Sequence, residues 1–535
     1  MANFKFKTLG VMIDMSRNSV MSVEGLKRYL PLLKKMGYNC VMLYTEDTYE
    51  VDGEPYFGYM RGRYTKDEMK ELDAFAASLG ITVIPCMQTL AHVNATIRWG
   101  KFPVDCADIM LVDDERTYEL IDHMFATLSE CFKSRKIHIG MDEAHMLGRG
   151  RHLDIHGYET VDVIMKRHLA RVCEIAQKYG YEPMIWSDMF FRPWNNGAYR
   201  LGKAKIPQEY IDALPKSVIP VYWDYYQATE QGYSDMMENH AQLSKKTWFA
   251  GGSWSWEGFA PFNKFTLTSM IPAIDACKKN NMRNMFMTMW GDNGGECSHF
   301  AQLPSLFYIA QYAKGITDEA VIKEKFKRLT GVAYDDFMKL DLPNEITGNE
   351  QTGHPKNPAK YMLFSDCFNG FLDYTVAEGG AQKYADYAKQ LHEVARKSRK
   401  YGYLFDTQAK LCDALAVKYE LGVKTRKAYN AGDKDELRRL ANEDYSAAIK
   451  LVDAFAKAFE KQWFYENKTS GFDVQDIRLG GLLRRLGACK RRLIEYADGK
   501  IDRIEELEGD VLPFGNEKMS ITFNDYAKNA TGNIL

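Results

Sequence analysis

Carboxylates, an arginine and tryptophans recur in this sequence at one kind of place, the few residues that follow a short apolar run. They are Asp14 and Arg17; Glu46 and Asp47; Gln88 and His92; the adjacent pair Asp142-Glu143; Trp186 and Asp188; Trp223, Asp224 and Tyr225; Trp254, Trp256 and Glu257; and Trp290 with Asp292. Flat aromatic walls with interspersed carboxylates suit a sugar. An indole stacks on the C–H face of a pyranose, and Asp, Glu and Arg bind its hydroxyls. Polar residues are ordinary where strands meet solvent, and one Trp or Asp there is more often structural than functional. Tryptophans at four separate strand ends are harder to account for without a partner.

The apolar runs occupy residues 9–14, 40–45, 81–87, 136–140, 183–187, 218–223, 247–250 and 284–289. Near-continuous hydrophobic runs bounded by turn residues predict strands buried on both faces of a parallel sheet. Between them the apolar spacing predicts helices over 23–36, 66–79, 115–131, 160–178 and 267–279. The first has Ser22 where an N-cap belongs and Gly37 where a helix stops, with Pro31 inside as a potential kink. Eight strands alternating with helices predict a (β/α)8 TIM barrel of the α/β class, whose chemistry belongs at the C-terminal ends of its strands. An open doubly wound sheet is the runner-up, but no G-x-G-x-x-G follows the first strand. From residue 382 onward only amphipathic helical spacing is found, over 383–401, 407–430, 434–467 and 475–497. The expected organisation is a catalytic barrel over 1–340, a linker over 341–360 rich in Pro, Gly and Asn, and a C-terminal α-helical domain over 361–535.

Composition narrows the function. The chain of 535 residues is 46% hydrophobic and 27% charged with a formal charge of −2, and it has no basic block, so neither nucleic acid nor a membrane surface is an expected partner. No uncharged apolar run reaches the roughly 20 residues of a membrane span, and no secretory leader is read before the first strand. The ten cysteines include no C-x-x-C, which argues against a metal cluster or redox motif and for buried free thiols in a reducing cytoplasm. No cofactor and no metal are expected.

The run His138-Ile139-Gly140-Met141-Asp142-Glu143 resembles the His-x-Gly-Gly-Asp-Glu motif of glycoside hydrolase family 20, the β-N-acetylhexosaminidases, with Met141 in place of the second Gly. Other landmarks of that family follow in order: Asp14–Arg17, the acidic pair Glu46-Asp47, His92, Trp186, Trp223 and Trp290-Gly291-Asp292. The small α/β domain that often precedes the barrel is not found, and the helical C-terminal region resembles that of a bacterial branch. The resemblance implies a substrate-assisted, retaining mechanism, in which the sugar's own 2-acetamido oxygen attacks the anomeric carbon. Asp142 would then orient the acetamido group and Glu143 would be the general acid and later the base, with its pKa raised by an apolar site. Neighbouring residues on a strand point opposite ways, so at a strand's end the two would straddle one sugar.

By the same resemblance Arg17 clamps the 3- and 4-hydroxyls, and Asp292 and Glu46 bind the 4- and 6-hydroxyls or position Arg17. Trp186, Trp223 and Trp290 wall the ring and the acetamido pocket, and His92 touches the acid. The family's acidic residue four before that His is Gln88 here, so another acid substitutes or His92 tunes Glu143 less. His138 either orients Asp142 or is a satisfied core residue. The family's Tyr after strand seven is missing from Gly252-Ser253-Trp254-Ser255-Trp256, so either Tyr225 supplies that hydroxyl or the contact is made differently. Trp254 and Trp256 divide evenly between substrate wall and packing. The expected activity is exo-hydrolysis of terminal β-linked GlcNAc or GalNAc from a small oligosaccharide, with the helical region offering a surface for a homodimer. The rivals are a barrel glycosidase with a protein nucleophile and a catalytically silent sugar-binding barrel.

Overall fold

The computed structural model describes residues 4–346, 355–513 and 525–530. Two compact units are present, one formed by Met1–Ser253, Thr266–Trp290 and Leu306–Asp318, the other by Trp254–Phe265, Gly291–Ser305 and Glu319–Leu535.

In the first unit eight parallel strands close into a barrel in sequence order: β1 (Thr8–Asp14), β2 (Cys40–Tyr44), β3 (Thr82–Cys86), β4 (Lys136–His138), β5 (Glu182–Trp186), β6 (Ile219–Trp223), β7 (Trp248–Gly252) and β8 (Asn284–Met289). This is the TIM barrel expected from the pattern of runs, and its closure through β1 and β8 excludes the open sheet. Alternate residues point inward and fill the barrel, among them Met12, Met42, Tyr44, Ile84, Cys86, Met184, Trp186, Val221 and Phe286. Gly10 belongs to this interior because a Cβ there would lie 3.1 Å from the Cβ of Cys40 and 3.3 Å from that of Phe286. The other strand face meets helices whose ends follow local rules. Ser22 caps Val23–Met36, Gly37 ends it in the left-handed region at φ 111°, and the helix runs through Pro31. Thr65 and Glu68 form a capping box on Lys66–Ser78. The short strand β4 is the main departure: it ends at His138, so Gly140 to Glu143 lie beyond the ladder in a turn.

The second unit is helical over Gly380–Lys397, Gly402–Lys418, Leu421–Asn430, Lys434–Leu440, Ser446–Glu466 and Phe472–Ala497. The single helix expected over 407–430 is two helices, and that over 434–467 contains a π-helical turn at Ala441–Tyr445. Tyr445 in that turn is buried with its hydroxyl 3.0 Å from Thr425 Oγ1, a tertiary contact that spacing alone does not reveal. Lys360, Glu296 and Arg478 make a buried ion cluster at 2.8 and 3.0 Å. Residues 347–354 of the expected linker lie outside the described residues, and its described flanks hold a 3-10 turn at Met338–Asn344 and a helix at Pro358–Phe364. No helix among the described residues is long and apolar enough to cross a membrane. All ten cysteines are free, eight of them buried.

Candidate active site

The pair Asp142-Glu143 is presented by an unusual stretch of backbone. Gly140, Met141 and Glu143 all have positive φ, at 73°, 68° and 52°. For Met and Glu this left-handed conformation costs on the order of 1 kcal/mol each and persists only where surroundings impose it. The turn, rather than the alternation of a strand, sets the directions of the two carboxyls, because the ladder has already ended at His138. Glycine is required at 140: a Cβ there would stand 1.8 Å from Gln88 Oε1. Met141 occupies the motif's second glycine position in a conformation that glycine adopts freely, and its side chain is fully buried.

Gln88 is the hub that holds the turn. Its Oε1 accepts from the Met141 N–H at 3.1 Å, while its Nε2 donates to Asp142 Oδ1 at 2.9 Å and to the Tyr44 hydroxyl at 2.8 Å. Tyr44 donates in turn to Glu46 Oε1 at 3.0 Å, and the same oxygen accepts from Arg17 Nη1 at 2.6 Å. A continuous chain of polar contacts therefore joins Asp142 to Arg17 through Gln88, Tyr44 and Glu46. Asp14 supports the far end by accepting from the Ser16 N–H and hydroxyl, and Ser16 accepts from Arg17.

His92, in the left-handed region at φ 56°, faces both acids. Its Nε2 lies 3.3 Å from Asp142 Oδ2 and 3.8 Å from Glu143 Oε2. Its Nδ1 is 3.7 Å from Asp108 Oδ2, and its backbone N–H donates to that oxygen at 3.1 Å. Asp108 is thus the acid beside His92, whereas Gln88 faces Asp142 instead. Burial alone would lower the His92 pKa, but the charge and hydrogen bond of Asp142 outweigh it and hold the imidazole up to about 10. The converse applies to Asp142. Burial pushes its carboxyl up, yet His92, Gln88 and its own backbone bring it down to about 2. Glu143 moves the other way: burial, then the charges of Asp142 and Asp188, raise it against the opposing pull of His92 and Arg192. One carboxyl is kept ionised and its neighbour is biased toward holding a proton.

His138 does not reach Asp142. Its Nδ1 accepts from the Gly140 N–H at 3.1 Å, its ring lies 4.3 Å from that of Trp186, and burial pushes it down to about 3. It is a neutral core histidine that braces the turn.

The walls are aromatic. Trp290 meets Tyr44 edge to face at 4.7 Å, lies 6.0 Å from Trp186, and donates from Nε1 to the Tyr225 hydroxyl at 3.0 Å. Trp223 stacks on Tyr225 at 5.6 Å. The first unit therefore brings together Arg17, Glu46, His92, Asp142, Glu143, Trp186, Trp223, Tyr225 and Trp290. Trp254 and Asp292 belong to the second unit. There Trp254 is fully buried and stacks on Trp256 at 3.9 Å, while Asp292 is exposed. Tyr44, Asp108, Asp188 and Arg192 were not singled out for roles from the sequence. Tyr44 carried an inward signal by alternation from Met42. Asp188 carried the signal of its strand end but no role, and Arg192 only an i, i+4 charge spacing to it, which is common on any surface.

The family described as "Glycosyl hydrolase family 20, catalytic domain" matches residues 6–243, and "Glycoside Hydrolase 20C C-terminal domain" matches residues 335–523. Hexosaminidase D of Bos taurus is 23% identical over 353 residues, 60% of this chain and 94% of that protein. Hexosaminidase D of Homo sapiens is 24% identical over 220 residues, 38% of this chain and 42% of that protein. Among solved structures, the exo β-N-acetylglucosaminidase of Vibrio harveyi superposes with a TM-score of 0.46 at 15% identity, over 62% of this chain and 59% of that one.

Proposed function

The chain belongs to glycoside hydrolase family 20, and from that premise we propose that it is an exo-acting β-N-acetylhexosaminidase, releasing terminal β-linked GlcNAc or GalNAc from small oligosaccharides with retention. The observation that carries this reading is the unequal setting of two adjacent carboxyls: Asp142 accepts from Gln88 at 2.9 Å and lies 3.3 Å from His92, which favours its ionised form, whereas burial and the charges of Asp142 and Asp188 bias Glu143 toward its proton.

In the first step the acetamido oxygen attacks C1 as the C1–O bond to the leaving group breaks. Glu143 gives its proton to the departing oxygen. The ionised Asp142 accepts the acetamido N–H and offsets the positive charge of the oxazolinium ring, a preorganised anion facing a developing cation. In the second step water attacks C1, Glu143 takes its proton, and the ring opens to the product with its acetamido group restored. Two inversions at C1 leave the configuration unchanged. Arg17, paired with Glu46, is assigned to donate to sugar hydroxyls. Trp223 and Trp290, packed against the buried Trp186, are assigned to the wall, and Tyr225 is the hydroxyl assigned to the acetamido oxygen.

A protein nucleophile is the less favoured reading. Both oxygens of Asp142 already face polar partners, Oδ1 accepting from Gln88 Nε2 at 2.9 Å and Oδ2 lying 3.3 Å from His92 Nε2, which suits an orienting anion better than an attacking group. A panel of aryl β-glycosides with and without the 2-acetamido group tests the proposal. Turnover is expected only with the acetamido group, and fast hydrolysis of an unsubstituted β-glucoside would reject substrate assistance. The ten free thiols support a cytoplasmic location.

A further inference from the structure

The segment that follows β5, the strand beside β4, supplies two residues that the proposed mechanism leaves unused. Asp188 follows Trp186 at the end of β5 and is fully buried. Its Oδ2 accepts from the Glu143 backbone N–H at 3.0 Å and from Arg192 Nε at 2.9 Å. Arg192 then reaches forward, donating from Nη2 to Glu143 Oε1 at 3.2 Å, and is tethered behind by Nη1 donating to the Gly197 carbonyl at 3.1 Å. Its guanidinium lies 5.8 Å from the Tyr199 ring and 5.9 Å from that of Trp223. One carboxylate thus holds the main chain of Glu143, and the cation bound to that carboxylate holds the side chain.

The geometry points to Asp188 and Arg192 as the positioning pair of this site: Asp188 fixes the left-handed turn that presents Glu143, and Arg192 steadies the Glu143 carboxylate while it is ionised between the two steps. This assignment rests on the proposed role of Glu143. The acid must lose its proton in the first step and regain one in the second, so its ionised form has to be tolerable as well as its neutral form. Asp142 and Asp188 disfavour the ionised form, while His92 and Arg192 favour it. Arg192 is the cation that can stay with Glu143 when His92 is engaged by Asp142. Burial, then the charge of Asp142, pushes Asp188 itself up to about 6 against the pull of Arg192.

The two residues act on Glu143 in opposite senses, which a purely structural role would not do. The test measures the alkaline limb of kcat/KM on an aryl N-acetyl-β-glucosaminide for the wild type, Arg192→Gln, Arg192→Lys and Asp188→Asn. Glu143 protonation is followed separately by carboxyl-stretch infrared difference titration, each protein against the same protein carrying Glu143→Gln. Arg192→Gln should move the limb and the infrared midpoint up by about one pH unit, since an opposite charge in contact shifts a carboxyl by roughly one to three units. Arg192→Lys should recover most of that shift. Asp188→Asn, which keeps an acceptor for the Glu143 N–H, should move both down. Midpoints that stay in place, or that move in the same direction in both variants, would overturn the pairing. If Asp188→Asn does not fold, the two Arg192 variants decide. If the wild type does not turn over the glycoside, the activity reading falls and with it the role between the two steps, while infrared midpoints that move as stated would still show Asp188 and Arg192 setting Glu143 in opposite senses.

Discussion

Replacing His92 by Gln should make an acid limb appear in the pH profile. In the wild type Asp142 stays ionised down to about pH 2 because a cation sits against it. At the observed 3.3 Å, and at the effective dielectric constant of about 20 that suits partly buried pairs, that attraction is worth up to about 5 kcal/mol, or about 3.5 pKa units. Removing it should let burial dominate and carry Asp142 to between about 5 and 6. The molecule contains its own benchmark: Asp47 and Asp188, buried carboxyls whose cations do not outweigh burial, are both pushed up to about 6. The assay is kcat/KM between pH 3 and 9 on an aryl N-acetyl-β-glucosaminide. The wild type should show no ascending limb above about pH 3, and His92→Gln should lose about tenfold per pH unit below its new midpoint. An acid side in the variant as flat as in the wild type would refute the claim that His92 keeps Asp142 ionised. Stability carries the same sign. The depressed pKa of Asp142, about 2 against 3.8, contributes on the order of 2 kcal/mol above the unfolded value, lost as the pH falls through about 2. The raised pKa of His92 expresses the same pair from the other side: full support below 6.5, lost as the pH rises through about 10. The variant should therefore be less stable at pH 7 by about 2–3 kcal/mol in denaturant titration.

Glu143→Gln should lower kcat by about 10²–10⁴-fold on a glycoside with a poor leaving group, and much less on one whose aglycone needs no proton. Equal losses on both would remove Glu143 from the role of acid. Gly140→Ala should drive Gln88 out of its place, since the new Cβ would lie 1.8 Å from Gln88 Oε1. That breaks the bonds to Met141 and Asp142 at a cost of about 2–4 kcal/mol, and a variant with unchanged kcat and Tm would mean the hub is dispensable.

The barrel was legible because its strands are buried on both faces: eight short apolar runs, each followed by a helical period, have few other ways to satisfy the backbone. The chemistry-bearing ends of those runs were legible for the same reason, since a carboxylate, Trp or Arg at the close of an apolar strand has left the core. Asp142, Glu143, Arg17, Glu46 and His92 meet in the fold as their positions along the chain implied. The expected geometry of the acid pair was not correct in detail, because β4 stops at His138 and three left-handed residues, two of them not glycine, redirect the chain. No local preference announces such a turn. It exists because Gln88, just past β3, and Asp188, just past β5, bond its main chain from either side. Likewise Gln88, read in sequence as a lost acid, is the bridge from Asp142 to Tyr44, and Arg192 is one more surface-like charge until β5 is laid beside β4. Composition and period specify which residues leave water and which strand ends face it. Which buried polar atom meets which, and so which of two neighbouring carboxyls keeps its proton, is decided by side chains tens of residues apart that only the closed barrel brings within hydrogen-bonding reach.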